Sequence, residues 1–160
     1  MIRRAIPEDI FRLAEMGQAF FDEAGIAERL AAGDGARLEF DLESFARTVA
    51  ALIEHGILLV AEKGGTVVGM AAAGASPAWW NRKVLTAQEL FWYVEPGHRK
   101  GIGAKLMSAL EEAVGSLGVT LFSMSAEEGL RSTALNRLYR QRGYFPTETL
   151  FWKQIGSSAQ

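Results

Sequence analysis

A stretch near the middle of the chain combines glycines with basic residues in a way that suits an anion. It reads Val94-Glu95-Pro96-Gly97-His98-Arg99-Lys100-Gly101-Ile102-Gly103-Ala104-Lys105-Leu106. Apolar and aromatic residues typical of a strand precede it, and residues with helical periodicity follow it. The start of a helix exposes unpaired N–H groups and carries the positive end of the helix dipole. Glycines there let a phosphate approach the backbone, so the stretch predicts a phosphate-binding loop.

Two common nucleotide loops do not fit this stretch. A P-loop requires glycine, then lysine, then serine or threonine, whereas Ala104 follows Gly103 here. A dinucleotide-binding fold requires a third glycine where this chain has Leu106, and a repeated strand–helix–strand half, which does not follow. The predicted loop therefore belongs to another class of phosphate site.

Hydrophobic periodicity predicts the elements that must position the loop. The predicted strands cover 2–6, 57–61, 66–73, 87–94, 119–124 and 148–155. The predicted helices cover 7–24, 41–55, 102–117 and 131–142. Gly25 and residues 33–35 mark a loop or a helix interruption, 74–86 is a predicted loop, and 63–65 is a predicted tight turn. A strand–helix–strand crossover brings its two strands together in parallel. We therefore expect an α/β fold with a central mixed sheet of six to seven strands, flanked by about four helices.

The composition is that of an ordinary globular protein. The 160 residues are 49% hydrophobic and 22% charged, which suits a single domain at 1–155 followed by a polar tail at 156–160. The net charge of −2 gives no reason to expect nucleic acid as a partner. The absence of cysteine excludes disulfides, thiolate zinc sites and a cysteine nucleophile, and the histidines have no plausible partners for a metal.

The chain contains no apolar run long enough to cross a bilayer. Near the N-terminus, Pro7, Glu8 and Asp9 interrupt what would be the apolar core of a signal peptide. We therefore expect no membrane partner and a cytoplasmic location.

The glycine loop is followed, in order, by a helix, a strand and the segment Leu138-Tyr139-Arg140-Gln141-Arg142-Gly143-Tyr144. In this order, residues 86–152 resemble the core of the GNAT N-acetyltransferase superfamily. The coenzyme A pyrophosphate loop of that family reads Arg or Gln, two residues, Gly, one residue, and Gly or Ala. His98 stands where arginine or glutamine is usual, and Arg99 comes one place late. Either His98 takes that role or Arg99 swings in.

The resemblance implies acetyl-CoA as cosubstrate, no metal, and transfer of the acetyl group to an amine. It also implies backbone contacts from 92–94 to the pantetheine arm, while the amides of 99–104 do most of the pyrophosphate binding. Ser132 or Asn136 stands in for an asparagine that contacts the cofactor in many relatives. The expected cofactor-binding residues are Trp92, Tyr93, Val94, His98, Arg99, Lys100, Gly101, Ile102, Gly103, Ala104, Ser132 and Asn136.

Two side chains are candidates for the proton transfers of acetyl transfer. Tyr139 lies four residues before Gly143, and the resemblance implies that it is the general acid for the thiolate that leaves. Glu89 is the only carboxylate in the aromatic strand before Glu95, and we expect it to be the general base. Strand alternation predicts that Glu89, Phe91 and Tyr93 share one face of the sheet.

The acceptor is expected to be a small-molecule or peptide amine, attacking the thioester directly in a ternary complex. Trp79 and Trp80 lie in the predicted loop before the aromatic strand, where they are either the wall of an acceptor pocket or a partner surface. A homodimer is expected because many relatives dimerise. The alternative function is a catalytically silent module that binds acetyl-CoA as a sensor or interaction partner.

Overall fold

A computed structural model describes residues 1–31, 37–126 and 132–156. The strands are β1 (Ile2–Arg4), β2 (Ile57–Lys63), β3 (Thr66–Ala78), β4 (Asn81–Val94) and β5 (Leu121–Ser123). The helices are α1 (Ile10–Glu23), α2 (Ile26–Leu30), α3 (Leu42–His55), α4 (Arg99–Gly115) and α5 (Ser132–Gln141). Short 3-10 turns over Pro7–Asp9 and Pro96–His98 lead into α1 and α4.

The strands form one mixed sheet in the order β1-β2-β3-β4-β5. Neighbours are antiparallel except for β4 and β5, which are parallel because α4 crosses between them. The predicted α/β class is confirmed, but the described sheet has five strands instead of six to seven. One predicted strand that is missing from the described sheet is that at 148–155, a segment without regular structure. A strand needs an edge to pair with, and no strand of the described residues pairs with this segment.

The loop predicted over 74–86 is wrong. Instead, β3 and β4 continue as a two-stranded ribbon and meet at a turn formed by Trp79 and Trp80. Pro77 suggested a break because proline cannot donate a ladder hydrogen bond. It is tolerated here because β2 pairs with β3 only as far as Ala73, which leaves Pro77 on a free edge of the ribbon.

The chain divides into two compact units, each with its own packing. The first comprises Met1–Gly17 and Leu42–Met124 and contains the whole sheet. The expectation of a single domain over 1–155 stays a prediction. Of the tail predicted at 156–160, only Gly156 is described. The loop or helix interruption predicted at 33–35 lies outside the described residues as well.

One face of the sheet in the first unit is covered by α4. The small residues Gly69, Ala71 and Ala73 of β3 leave room for the helix to lie close. The buried members of this cluster are Ile57, Leu59, Ala61, Ala71, Ala73, Ala87, Val94, Leu106, Leu110 and Val114. On α3, the ring of Phe45 packs against Phe91 of β4 at 5.4 Å between centroids.

The second unit comprises Gln18–Asp41 and the residues from Ser125 onward. Gly25, with a φ of 61°, separates α1 from α2, as the predicted interruption at this glycine required. Phe21 packs against Phe40 at 5.6 Å between ring centroids, and Tyr139 packs against Tyr144 at the same separation. The segment after α5 exposes five large apolar side chains, namely Phe145, Leu150, Phe151, Trp152 and Ile155.

A buried carboxylate fixes the entry into α1. Asp9 is buried and accepts hydrogen bonds from the Arg3 guanidinium at 2.7 and 2.9 Å and from the Ile6 N–H at 2.9 Å. Arg3 also pairs with Glu62 of β2 at 2.9 Å. The hydrogen bonds from Arg3 hold the pKa of Asp9 below its ordinary value, although burial opposes this shift.

We predict that Gly69→Ala lowers the free energy of unfolding by about 1–3 kcal/mol, the usual cost of overpacking a core. A Cβ on Gly69 would lie 2.9 Å from Leu106 Cδ1 and 3.3 Å from the Tyr93 carbonyl oxygen, which cannot easily move. Gly74→Ala is the matched control on the same strand, because its Cβ would meet only Leu90, at 3.8 Å. Urea denaturation of both variants checks this, and equal stability losses would contradict it.

We predict that Asp9→Asn removes part of the acid sensitivity of the fold. A carboxylate whose pKa is lowered on folding contributes stability above its unfolded pKa of about 3.9, and this is lost as the pH falls through the folded pKa. Asp9→Asn should therefore cost about 1–3 kcal/mol at neutral pH and flatten the decline below about pH 4. Urea midpoints measured from neutral to acidic pH test this. Exposed Glu8→Gln is the control, and a decline as steep in Asp9→Asn as in the native protein would refute it.

Candidate functional site

The predicted phosphate loop lies between β4 and the regular part of α4. The 3-10 turn Pro96–His98 leads into the helix, but the backbone departs from helical geometry at Lys100, with a ψ of 93°, and at Gly101, with a φ of 81°. Regular helix therefore begins at Ile102, and the side chain of His98, at the N-cap position of α4, makes no capping hydrogen bond. The first N–H groups of a helix lack intrahelical partners, so this kink presents backbone donors.

The glycines of the loop have different physical roles. Gly101 adopts a positive φ that a side chain would strain, and nothing lies within 4 Å of the place where its Cβ would be. A Cβ on Gly103 would lie 3.3 Å from Trp92 Cζ2, so this glycine permits close packing of the helix on β4. The backbone around Gly101 is thus open to a ligand, which is what a bound pyrophosphate requires.

Two arginines fix the loop to the sheet. The Arg99 Nε donates to the Val94 carbonyl at 2.8 Å, and its guanidinium lies 5.7 Å from the centroid of the Tyr93 ring. From α1, Arg12 donates to the Val67 carbonyl at 3.1 Å and forms an ion pair with Glu95. Arg99 is therefore turned back onto β4. The contribution of Arg12 has no signal in the sequence, because one arginine on an amphipathic helix is unremarkable.

The neighbouring histidine is partly enclosed. The Nδ1 atom of His98 is buried and has no hydrogen-bond partner within the described ranges. Its backbone N–H donates to the Glu95 carbonyl at 2.9 Å, which closes the turn before α4. Lys100 and Ala104 are exposed on the same loop and helix start.

A β-bulge at Leu90 changes the predicted arrangement around Glu89. Phe91 pairs with Ala72 of β3, but Glu89 pairs with Ala73, so Leu90 is an extra residue. Paired residues share a face, which places Glu89 with Ala73 on the side covered by α4. The expectation that Glu89 shares a face with Phe91 and Tyr93 is therefore wrong, because a bulge resets strand alternation. Glu89 is 8% exposed.

The ladder between β4 and β5 ends next to Glu89. It covers only Thr86–Gln88 of β4, paired with Leu121–Ser123 of β5. Beyond it, no described strand pairs with this edge of β4, along which Trp92, Tyr93 and Val94 follow. Tyr93 and Val94 are buried and Trp92 is half-buried. The backbone here offers an edge to which an extended ligand can add.

The predicted acid lies on α5 in the second unit. Tyr139 is buried, and its hydroxyl donates to the Ser125 carbonyl at 2.6 Å. Asn136 lies three residues earlier on the same helix face and is exposed, and Ser132 is the first residue of the helix. Glu89 and the loop belong to the first unit.

Trp79 and Trp80 lie far from Glu89 along β4. Glu89 pairs with Ala73 and Asn81 pairs with Ala78, five residues farther along β3, so the turn lies about 16–20 Å from Glu89 at about 3.3 Å per residue. Of the two alternatives for these tryptophans, the geometry favours a partner surface over the wall of a pocket around Glu89.

Neither a metal site nor a membrane span accompanies the site in the part of the chain that the structure describes. No group of three or more histidine, aspartate and glutamate side chains there could hold a metal ion. None of the helices in the same ranges has the length and apolar character needed to span a bilayer.

Comparison with solved structures finds the same fold in several acetyltransferases. A predicted acetyltransferase from Clostridium acetobutylicum, solved with acetyl-CoA, is 16% identical, with a TM-score of 0.72 over 98% of this chain and 95% of that chain. An aminoglycoside acetyltransferase from an uncultured soil metagenomic sample is 16% identical, with a TM-score of 0.71 over 98% of both chains. At these identities the likeness shows the fold.

A third similar structure is a ribosomal-protein-alanine N-acetyltransferase from Brucella melitensis biovar Abortus 2308. It is 16% identical, with a TM-score of 0.69 over 98% of this chain and 99% of that chain. No curated protein matches the chain. The family model of the acetyltransferase (GNAT) family matches residues 20–144, which include the glycine loop, Glu89 and Tyr139. The chain therefore belongs to the GNAT acetyltransferases, whose acetyl donor is acetyl-CoA.

Proposed function

We propose that this protein transfers an acetyl group from acetyl-CoA to an amine, by direct attack in a ternary complex. The observation that carries the proposal is the kink at Lys100–Gly101, which opens the backbone at the start of α4. Acetyl-CoA supplies an activated thioester and a pyrophosphate. The residues of the chain bind this cosubstrate, orient the two reactants and transfer protons. A metal or a covalent enzyme intermediate is not required for this chemistry.

The pyrophosphate is held by backbone amides around Gly101, Ile102 and Gly103. A helix start favours anions through its free N–H groups and its dipole. Arg99 supports the loop instead of reaching for the phosphate, because it is bound to the Val94 carbonyl and lies over Tyr93. His98, Lys100 and Ala104 complete the surroundings of the pyrophosphate.

The pantetheine arm extends along the free edge of β4 at Trp92, Tyr93 and Val94. A backbone N–H from this edge polarises the thioester carbonyl, as a preorganised donor does in acyl transfer. The cofactor contacts assigned to Ser132 and Asn136 remain part of the proposal, and Asn136 has the exposure that such a contact needs.

Glu89 accepts the proton of the acceptor amine, directly or through a water molecule. Two observations support this role: Glu89 is buried, and it lies between the end of the β4–β5 ladder and the bulge at Leu90. A carboxylate there is oriented by rigid backbone on both sides, which is what an effective general base needs.

Tyr139 donates its proton to the departing thiolate. In the present structure the phenol proton is donated to the Ser125 carbonyl. The hydroxyl is therefore held in a defined position, and it must exchange this partner for the thiolate during the reaction. In the alternative, a silent acetyl-CoA-binding module, Tyr139 would keep its hydrogen bond to the Ser125 carbonyl permanently.

The acceptor is proposed to be a small-molecule or peptide amine. The similar structures include enzymes named for an aminoglycoside and for a ribosomal-protein alanine, so both kinds of amine occur on this fold. A homodimer and a cytoplasmic location remain proposals as well.

We predict that Gly101→Ala weakens the binding of acetyl-CoA by about 5- to 30-fold. A left-handed φ costs a residue with a Cβ about 1–2 kcal/mol, so the loop leaves the kinked geometry that binds the pyrophosphate. Gly97→Ala is the control, since nothing lies within 4 Å of its Cβ position and its φ is ordinary. Isothermal titration with acetyl-CoA measures both. Unchanged affinity in Gly101→Ala would argue against the loop as the pyrophosphate site.

We predict that Tyr139→Phe lowers kcat by about 100-fold or more, the usual contribution of a general acid. The ring packing against Tyr144 is kept, so the loss of activity isolates the phenol proton. Tyr144→Phe is the control from the same aromatic pair. Thiol release from acetyl-CoA over a panel of amines provides the measurement.

We predict that Glu89→Gln lowers kcat/KM by about 100-fold or more at neutral pH, the usual contribution of a general base. Its residual activity should rise with pH, because the acceptor amine then loses its proton without help. Exposed Glu112→Gln serves as the control. Robust turnover in both Tyr139→Phe and Glu89→Gln would reject the residue assignment, whereas binding of acetyl-CoA without turnover of any amine would favour the silent module.

A further inference from the structure

The tip of the β3–β4 ribbon exposes two adjacent tryptophans. Trp79 is 93% exposed and Trp80 is 56% exposed. They occupy a two-residue hairpin turn, where glycine, asparagine and aspartate are the usual residues. Large exposed aromatic side chains in a place that favours small polar ones indicate a function for this surface, because the fold gains almost no packing from Trp79 and only partial packing from Trp80.

Two cations lie directly beside the tryptophans. Ala78 pairs with Asn81, but Pro77 pairs with Leu85, so Arg82, Lys83 and Val84 bulge out of the ladder. The Asn81 side chain accepts a hydrogen bond from the Lys83 N–H at 3.1 Å, which supports the bulge. The side chains of Arg82 and Lys83 are exposed and form no hydrogen bond or ion pair in the described part of the chain.

The charge of this hairpin differs from that of the whole chain. Between Glu62 and Glu89 the sequence contains no acidic residue, and its charged side chains are Lys63, Arg82 and Lys83. The projecting tip of the ribbon therefore carries only positive charge, although the chain has a net charge of −2. A local positive charge beside aromatic rings is complementary to an anionic surface.

The ribbon also extends past its neighbours in the sheet. β2 pairs with β3 only to Ala73, and β5 pairs with β4 only from Thr86. The tip beyond these residues is a two-stranded projection about 10–15 Å long, estimated at about 3.3 Å per residue. It lies at the opposite end of β4 from the acetyl-CoA loop, so it can be occupied without blocking that loop.

We propose that this tip docks onto an anionic phospholipid surface. Tryptophan rings prefer the headgroup level of a bilayer, and nearby lysine and arginine side chains bind lipid phosphates and carboxylates. A second copy of the chain fits less well, because Arg82 and Lys83 would face their own copies across a two-fold axis. A stable protein partner needs about 20–30 residues per side, whereas the tip beyond Ser76 and Leu85 comprises the eight residues 77–84.

This inference goes beyond the proposed function and departs from the expectation of no membrane partner. Docking through a hairpin tip is peripheral and needs no membrane-spanning segment. An enzyme held in this way would meet acceptor amines at the lipid surface, while its acetyl-CoA loop at the other end of β4 stays free.

Cosedimentation of the full-length protein with vesicles tests the proposal. We expect binding to vesicles that contain phosphatidylserine, much weaker binding to vesicles of phosphatidylcholine alone, and loss of binding at high salt. Trp79→Ala/Trp80→Ala should abolish binding. Arg82→Gln/Lys83→Gln should weaken it by about 30-fold, at about fivefold for each cation. Brominated lipids should quench tryptophan fluorescence in the native protein.

The matched control is Phe151→Ala/Trp152→Ala, which removes another adjacent pair of exposed aromatic side chains. Binding should persist in this variant, and all variants should keep their thermal stabilisation by acetyl-CoA, which shows that they are folded. Absence of binding to phosphatidylserine vesicles would overturn the proposal. Equal binding to both kinds of vesicle, equal loss in the control variant, or capture by an acidic protein or nucleic acid but not by lipid would overturn it too.

Discussion

The close packing of α4 on β3 is the constraint on which the candidate site depends. Leu106 lies over Gly69, and Gly103 lies against Trp92, so the start of the helix is held close to the end of β4. The chain between Val94 and Ile102 must then turn sharply within a few residues. The positive φ of Gly101 makes this turn, and the same turn opens the helix amides to a ligand. The geometry of the phosphate loop is thus a consequence of small residues on a strand far away in sequence.

Two arginine side chains also hold the loop, one from within it and one from α1. Arg99 binds the Val94 carbonyl, and Arg12 binds Glu95 and the Val67 carbonyl. These two guanidinium groups are bound to partners in the sheet and just after it, so in the proposed binding mode the backbone amides hold the pyrophosphate. A site built from backbone donors would be insensitive to the replacement of one side chain, which is consistent with histidine in place of the usual arginine or glutamine.

Sequence periodicity predicted the elements whose residue pattern is local. The helices predicted at 41–55 and 131–142 and the turn at 63–65 agree with the structure within about a residue, because amphipathic stripes and paired glycines are local features. The bulge at Leu90 was missed because it depends on the pairing of β4 with β3. The ribbon at 74–86 was missed because Pro77 and the tryptophans contradict the usual composition of strands and turns. The role of Arg12 could not be predicted from the sequence either, because it depends on partners that are distant along the chain, Val67 and Glu95.

Residues in unusual conformations or positions occur beyond both ends of β4. The unusual conformation at one end serves the packing of the fold, whereas the unusual residues at the other end are largely exposed. At one end, Gly101 has an unusual backbone conformation that glycine accommodates at low cost and that the packing of α4 requires. At the other end, two largely exposed tryptophans occupy a turn that favours small polar residues, beside two cations without partners in the described part of the chain. Under the two proposals, one strand serves two separate sites, one for the acetyl donor beyond Val94 and one for an anionic surface at the turn before Asn81.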